Sequence, residues 1–173
     1  MTLFWAANAA MPTTAANAPT ATASGCKTYL QISTPATRGI SVVAFGAEFT
    51  TGVTVPTTIE LVDTAAIPAT GLTAHVAAGV QPYGVGALGA TAPVSAMTLG
   101  TGATGWSAGA GTEGTIVATR TGKYKILPVG ADGYEWEWSL GREFVVGPSR
   151  NLRIRLTTTT TSPTVLVWAL WDE

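Results

Sequence analysis

NLRIRLT (Asn151–Thr157) and TVLVWALW (Thr164–Trp171), joined across Thr158–Pro163, decide the fold class. In the first, Leu152, Ile154 and Leu156 alternate with Arg153 and Arg155. That period of two puts one face of a strand in a core and turns the other outward. The second is apolar at every position after Thr164, so it reads as a central strand covered on both sides. Just upstream, YEWEW (Tyr134–Trp138) alternates as strictly, with aromatics on one face and Glu135 and Glu137 on the other.

The same period continues toward the N-terminus. REFVV (Arg142–Val146) is closed by Gly147-Pro148, and Gly114–Thr121 and Lys123–Pro128 read as strands flanking a hairpin turn at Thr121-Gly122. KTYLQIS (Lys27–Ser33) places Thr28, Leu30 and Ile32 on one face. RGISVVAFGAEFTT (Arg38–Thr51) carries Ile40, Val42 and Ala44 in one phase, then Phe45, Ala47 and Phe49 in the other. A β-bulge beside Gly46 produces such a slip. TTIELV (Thr57–Val62), opened by Pro56, is a further strand. No segment sustains a helical period for three turns. About eight short strands with Gly/Pro/Thr turns predict an all-β, antiparallel β-sandwich, jelly-roll-like, with an extended N-terminal arm.

One domain over residues 26–173 is expected, with long Gly/Ala-rich loops at about 63–113 holding short strands around His75–Ala78 and near Trp106. Residues 1–25 form the arm. Asn8–Gly25 is Ala/Thr/Pro-rich without period, and ahead of it stands the apolar plug Leu3-Phe4-Trp5. The segment reads either as a disordered terminus or as an arm that docks its aromatic tip on a neighbouring subunit. The N-terminal MTLFWAANAAM has no basic n-region and is far shorter than the ~20 residues of a membrane span, so neither a secretory signal nor a transmembrane segment is expected.

Composition narrows the function. Charged residues make up 11% of the chain, against about 25% in typical globular domains, which suits a surface largely covered by neighbours. With 9 basic and 10 acidic residues there is no electrostatic footprint for nucleic acid. Cys26 is the only cysteine and His75 the only histidine, so an intrachain disulfide is impossible and a zinc site lacks its ligands. A phosphate-loop motif is absent, and the glycines, those of Gly105-Trp106-Ser107-Ala108-Gly109 included, sit in a loop-like stretch without a following helical pattern. No catalytic, metal-binding or cofactor-binding residue is therefore expected, and the chain reads as a non-enzyme.

Two features could still carry chemistry. Glu135 and Glu137 project from one face about 6–7 Å apart, a separation that overlaps the carboxylates of inverting glycosidases. Glycosidase carboxylates sit on different elements across a cleft, so the pair reads instead as charges facing water, or as partners of Arg153 and Arg155 on a neighbouring strand. Trp106, Trp136, Trp138, Trp168 and Trp171 could form a sugar-stacking platform, although Trp136 and Trp138 share a face with Tyr134 as an inner wall would. Trp106 lies in TGATGWSAGAG, where an aromatic suits an interface anchor. The candidate interface residues are thus Leu3, Phe4, Trp5 and Trp106.

The segment SLGREFVVGPSRNLRIRLTTTTTSPTVLVWALWDE (Ser139–Glu173), with its Gly141-Arg142-Glu143, resembles the end of a family of small tailed-phage structural proteins. In that family an LGRE segment precedes a strand, a Gly/Arg-rich turn, an LRIRLT strand, a Thr/Ala-rich hairpin and an aromatic closing strand. Thr28–Thr51 and Thr58–Val62 resemble the opening of the same proteins, so the likeness covers roughly half of the chain. It implies a decoration (cement) or minor capsid protein on the exterior of a phage head, made in the host cytoplasm, with the major capsid protein as partner. Closed self-association, a trimer favoured, would suit that role. Neither nucleic acid nor membrane is an expected partner. A carbohydrate- or receptor-binding module and a tail-associated structural protein are the alternatives.

Overall fold

The computed structural model describes residues 2–9, 19–74, 80–83, 97, 105–106, 111–113, 119–161 and 163–173. These residues contain no helix and fold into two antiparallel sheets packed face to face as a β-sandwich. In chain order the strands are β1 (Leu3–Ala7), β2 (Thr20–Ala21), β3 (Gly25–Ser33), β4 (Ile40–Phe49), β5 (Thr57–Asp63), β6 (Thr73–Ala74) and β7 (Gln81–Tyr83). They continue as β8 (Gly105–Trp106), β9 (Gly111–Thr112), β10 (Arg120–Leu127), β11 (Gly133–Glu137), β12 (Phe144–Val146), β13 (Asn151–Thr158) and β14 (Thr164–Asp172). Sheet A runs β11-β4-β14-β1-β7, with β12 also on β4 and β2 on β14. Sheet B runs β10-β5-β13-β3-β8-β6, with β9 on β3.

Alternation builds the core as expected. Val165, Val167, Ala169 and Trp171 of β14 point inward beside Phe45, Ala47 and Phe49 of β4, and meet Leu152, Ile154 and Leu156 of β13. The β4 phase slip exists, but three residues before the expected place beside Gly46. Leu170 pairs with Ala44 and Trp171 with Val42, so the extra residue is Val43. Thr121-Gly122 is not a turn. β10 continues through it with a register shift, and Gly122 is the bulge residue. A Cβ there would stand 2.9 Å from Leu61 and Phe144, so glycine lets those side chains pack against the strand. The expected strand over Gly114–Thr121 lies mostly outside the described residues, as does that around His75–Ala78.

The beginning of the chain departs from the arm reading. Leu3–Ala7 is a strand of the chain's own sheet, hydrogen-bonded to β14 on one side and β7 on the other. Phe4 is 2% exposed and its ring stacks on Trp171 at 6.2 Å. Buried Asn8 extends the ladder: its Oδ1 accepts from the Val167 N–H at 2.9 Å and its Nδ2 donates to the Val165 carbonyl at 3.3 Å. Alternation within Leu-Phe-Trp-Ala-Ala and burial of an aromatic ring outweigh the pull of the low-complexity sequence that follows. Residues 10–18 lie outside the described residues.

Around Arg153, sheet B is covered on its outer face as well. Arg153 faces out of the sandwich as expected, yet it is 0% exposed, because Ile67–Leu72 and Glu113 lie over it. Its Nη1 donates to Glu113 at 2.7 Å and its Nη2 to the Ile67 carbonyl. Arg155 pairs with Glu60 at 2.9 Å and with Glu113 at 3.5 Å. Burial lowers the Arg153 pKa from the ordinary guanidinium value while the Glu113 carboxylate opposes the shift. At the sandwich rim, Lys123 of β10 sits 3.3 Å from the centroid of Trp136 on β11, and Arg120 sits over Phe144 of β12 at 4.4 Å. Two cation–π contacts thus join the sheets at that edge.

Candidate functional site

The outer face of sheet A carries the site. On β14, the residues between the core positions are Leu166, Trp168 and Leu170, half-buried rather than covered by another layer. Register brings neighbours to them in rows across the sheet. Trp5 lies opposite Leu170, which lies opposite Ala44, which lies opposite Glu137. The next row runs Ala7, Trp168, Gly46, Glu135, and beyond it Leu166 stands beside Glu48. Tyr83 of β7 pairs with Leu3 at the far edge.

These side chains enclose a groove of about 520 Å³ lined by Leu3, Trp5, Tyr83, Leu166, Trp168 and Leu170 on one side and by Glu48, Glu135 and Glu137 on the other. A second depression of about 270 Å³ shares Trp168, Glu48 and Glu135 and reaches Gly133 and Tyr134. A cleft of several hundred Å³ has room for a few side chains or sugar rings. The Tyr134 ring itself packs on Phe45 of the core, 6.0 Å between centroids, and burial raises its pKa.

Gly46 explains how Trp168 sits. A Cβ at position 46 would lie 2.7 Å from three atoms of the indole, so only glycine lets the ring rest directly on β4. Packing of an aromatic over a cross-strand glycine also stabilises the sheet. The carboxylates are exposed, and none of the three forms an ion pair among the described residues. Glu135 and Glu137 therefore do not meet Arg153 and Arg155, which belong to the other sheet. No group of three or more His, Cys, Asp or Glu able to hold a metal ion occurs among the described residues.

The residues expected at an interface are dispersed. Leu3 and Trp5 line the groove, whereas Phe4 between them is core. Trp106 is a strand residue: β8 pairs with β6 and touches β3 through Gln31 and Gly105. Its side chain lies outside the described residues. Of the other tryptophans, Trp171 is buried, Trp136 lies under Lys123, and Trp138 packs between Phe45 and Phe144. Among the described side chains, Trp168 and Trp5 are the tryptophans that line the groove. Trp168, Glu48, Gly46 and Tyr83 were not singled out as interface residues by sequence. Their signal was the second apolar face of TVLVWALW, which pointed to a covering layer and marks instead an open face.

Among the described residues no helix is long and apolar enough to cross a membrane. No protein-family model, curated protein or solved structure matches the chain.

Proposed function

We propose that this chain is a non-catalytic structural protein that binds the outside of a tailed-phage head and bridges capsid subunits there. It would be a decoration or minor capsid protein partnered by the major capsid protein and by its own copies. The observation that carries the binding half is the open outer face of sheet A, where strand residues apolar enough for a core line a surface groove. Half-buried apolar side chains around a groove that opens to solvent suit a binding site. Sparse charge supports the same reading. The head assignment draws its support from the sequence resemblance of Thr28–Thr51, Thr58–Val62 and Ser139–Glu173.

The test is co-sedimentation of purified protein with expanded heads that lack it, combined with labelled-antibody imaging of virions. Saturable binding and head label are expected, and label on the tail or failure to co-sediment would reject the head assignment. Deleting residues 1–24 is a poor test, because it removes β1 and with it part of the core.

A glycan- or receptor-binding role is the second reading, favoured by Trp168 lying flat over Gly46 beside Glu48 and Glu135. An indole face stacks a sugar ring while carboxylates accept from its hydroxyls. Tryptophan fluorescence against a neutral oligosaccharide panel, repeated with Trp168→Ala, decides it. No response across the panel removes it.

A further inference from the structure

The groove is chemically two-sided. Its apolar wall is Trp5, Trp168 and Leu170 of β1 and β14, and its acidic wall is Glu48, Glu135 and Glu137 of β4 and β11. Five cations of the chain are engaged elsewhere, Arg153 and Arg155 on sheet B, Arg120 and Arg150 on Asp63, and Lys123 on Trp136, and no ion pair reaches Glu48, Glu135 or Glu137 among the described residues. The acidic wall therefore faces solvent without a counter-charge among the described residues. Nor does it close around one ion. Glu135 and Glu137 project from one strand face about 6–7 Å apart, which is also the spacing of alternate side chains in an extended peptide.

An occupant complementary to this surface carries positive charges at alternate positions, with aliphatic stems to lie on the indole and leucine side. The protein makes such a contact itself on the other face of β11, where Lys123 covers Trp136 at 3.3 Å. We propose that the groove holds an extended lysine- or arginine-bearing segment of the partner protein, laid alongside β11 with its cations on Glu135, Glu137 and Glu48. This rests on the protein-binding reading above and names the chemistry of the partner.

The probe is a capped peptide of alternating Lys and Val about six residues long, which spans about 20 Å when extended. Binding is followed by tryptophan fluorescence and calorimetry. Saturable binding should weaken at least severalfold between about 0.1 M and 1 M salt, where the screening length falls from ~10 Å to ~3 Å. It should be lost in the triple variant Glu48→Gln/Glu135→Gln/Glu137→Gln, whose three positions are exposed. A matched Glu–Val peptide should not bind. Absent Lys–Val binding, or equal binding by the triple variant, overturns the proposal, as does a response to neutral oligosaccharides alone. Heads separate it from the reading it rests on. A triple variant that decorates heads like wild type sinks the basic-segment proposal and leaves head binding standing. Wild-type protein that binds the peptide but no head does the reverse.

Discussion

Replacing Phe4 by alanine tests whether the first residues are a strand of this domain or a tether. The ring is 2% exposed, stacks on Trp171, and sits on a strand paired on both sides. Truncating a buried phenylalanine removes its transfer energy and leaves a cavity, about 3–5 kcal/mol in all. That is a large part of the roughly 5–15 kcal/mol that holds a domain folded. At a urea slope of about 2 kcal/mol/M the midpoint should fall by roughly 1.5–2.5 M. Thermal unfolding should move down by about 6–20 °C. Trp5→Ala, one residue on but facing the groove, should lose much less. The assay is urea unfolding of both variants followed by far-ultraviolet circular dichroism. An exposed, unanchored residue changes stability by no more than ~0.5 kcal/mol. A Phe4→Ala midpoint within about 0.25 M of wild type, the shift that ~0.5 kcal/mol gives at that slope, would therefore refute the strand placement.

Other substitutions probe the rest of the molecule. Glu113→Ala leaves the buried Arg153 guanidinium without its carboxylate and should cost about 3–5 kcal/mol in urea unfolding, and a loss under ~1 kcal/mol would contradict the burial. Gly46→Ala should lift Trp168 off β4, lowering stability by about 1–3 kcal/mol and shifting tryptophan emission, and neither change would be seen if the ring sat elsewhere. Tyr29 is buried and its hydroxyl accepts from the Ala23 N–H at 2.8 Å; burial, the larger influence, raises its pKa above the ordinary value of 10.0. The unfolded chain then ionises first, so this contribution to stability is complete below about pH 10 and is lost as pH rises through the folded value. Phenolate absorbance of the native protein should show a late-ionising component that shrinks in Tyr29→Phe, and an unchanged titration curve would argue against it.

Strands with an uninterrupted period of two were legible from sequence, since β13, β11 and β5 each carry their alternation within a few residues. What was not legible depended on partners far along the chain. Leu3–Ala7 has the alternation of a strand but too few residues to outweigh the low-complexity run behind it, and its partner β14 lies at the other end of the sequence. Gly122 marks a bulge with the same residue that marks a turn. Arg153 looked solvent-facing because nothing local shows that Ile67 and Glu113 return over it. The groove is the extreme case. Trp5, Gly46, Tyr83, Glu135 and Trp168 come from five different strands, and only the register of sheet A makes them neighbours.

The open face of sheet A as the binding surface is tested most directly by an image reconstruction of expanded heads carrying the bound protein. The expected result is capsid density against Trp168, Trp5 and Glu135, with sheet B turned away. Capsid density seated on sheet B, with the groove of sheet A left open to solvent, would contradict it.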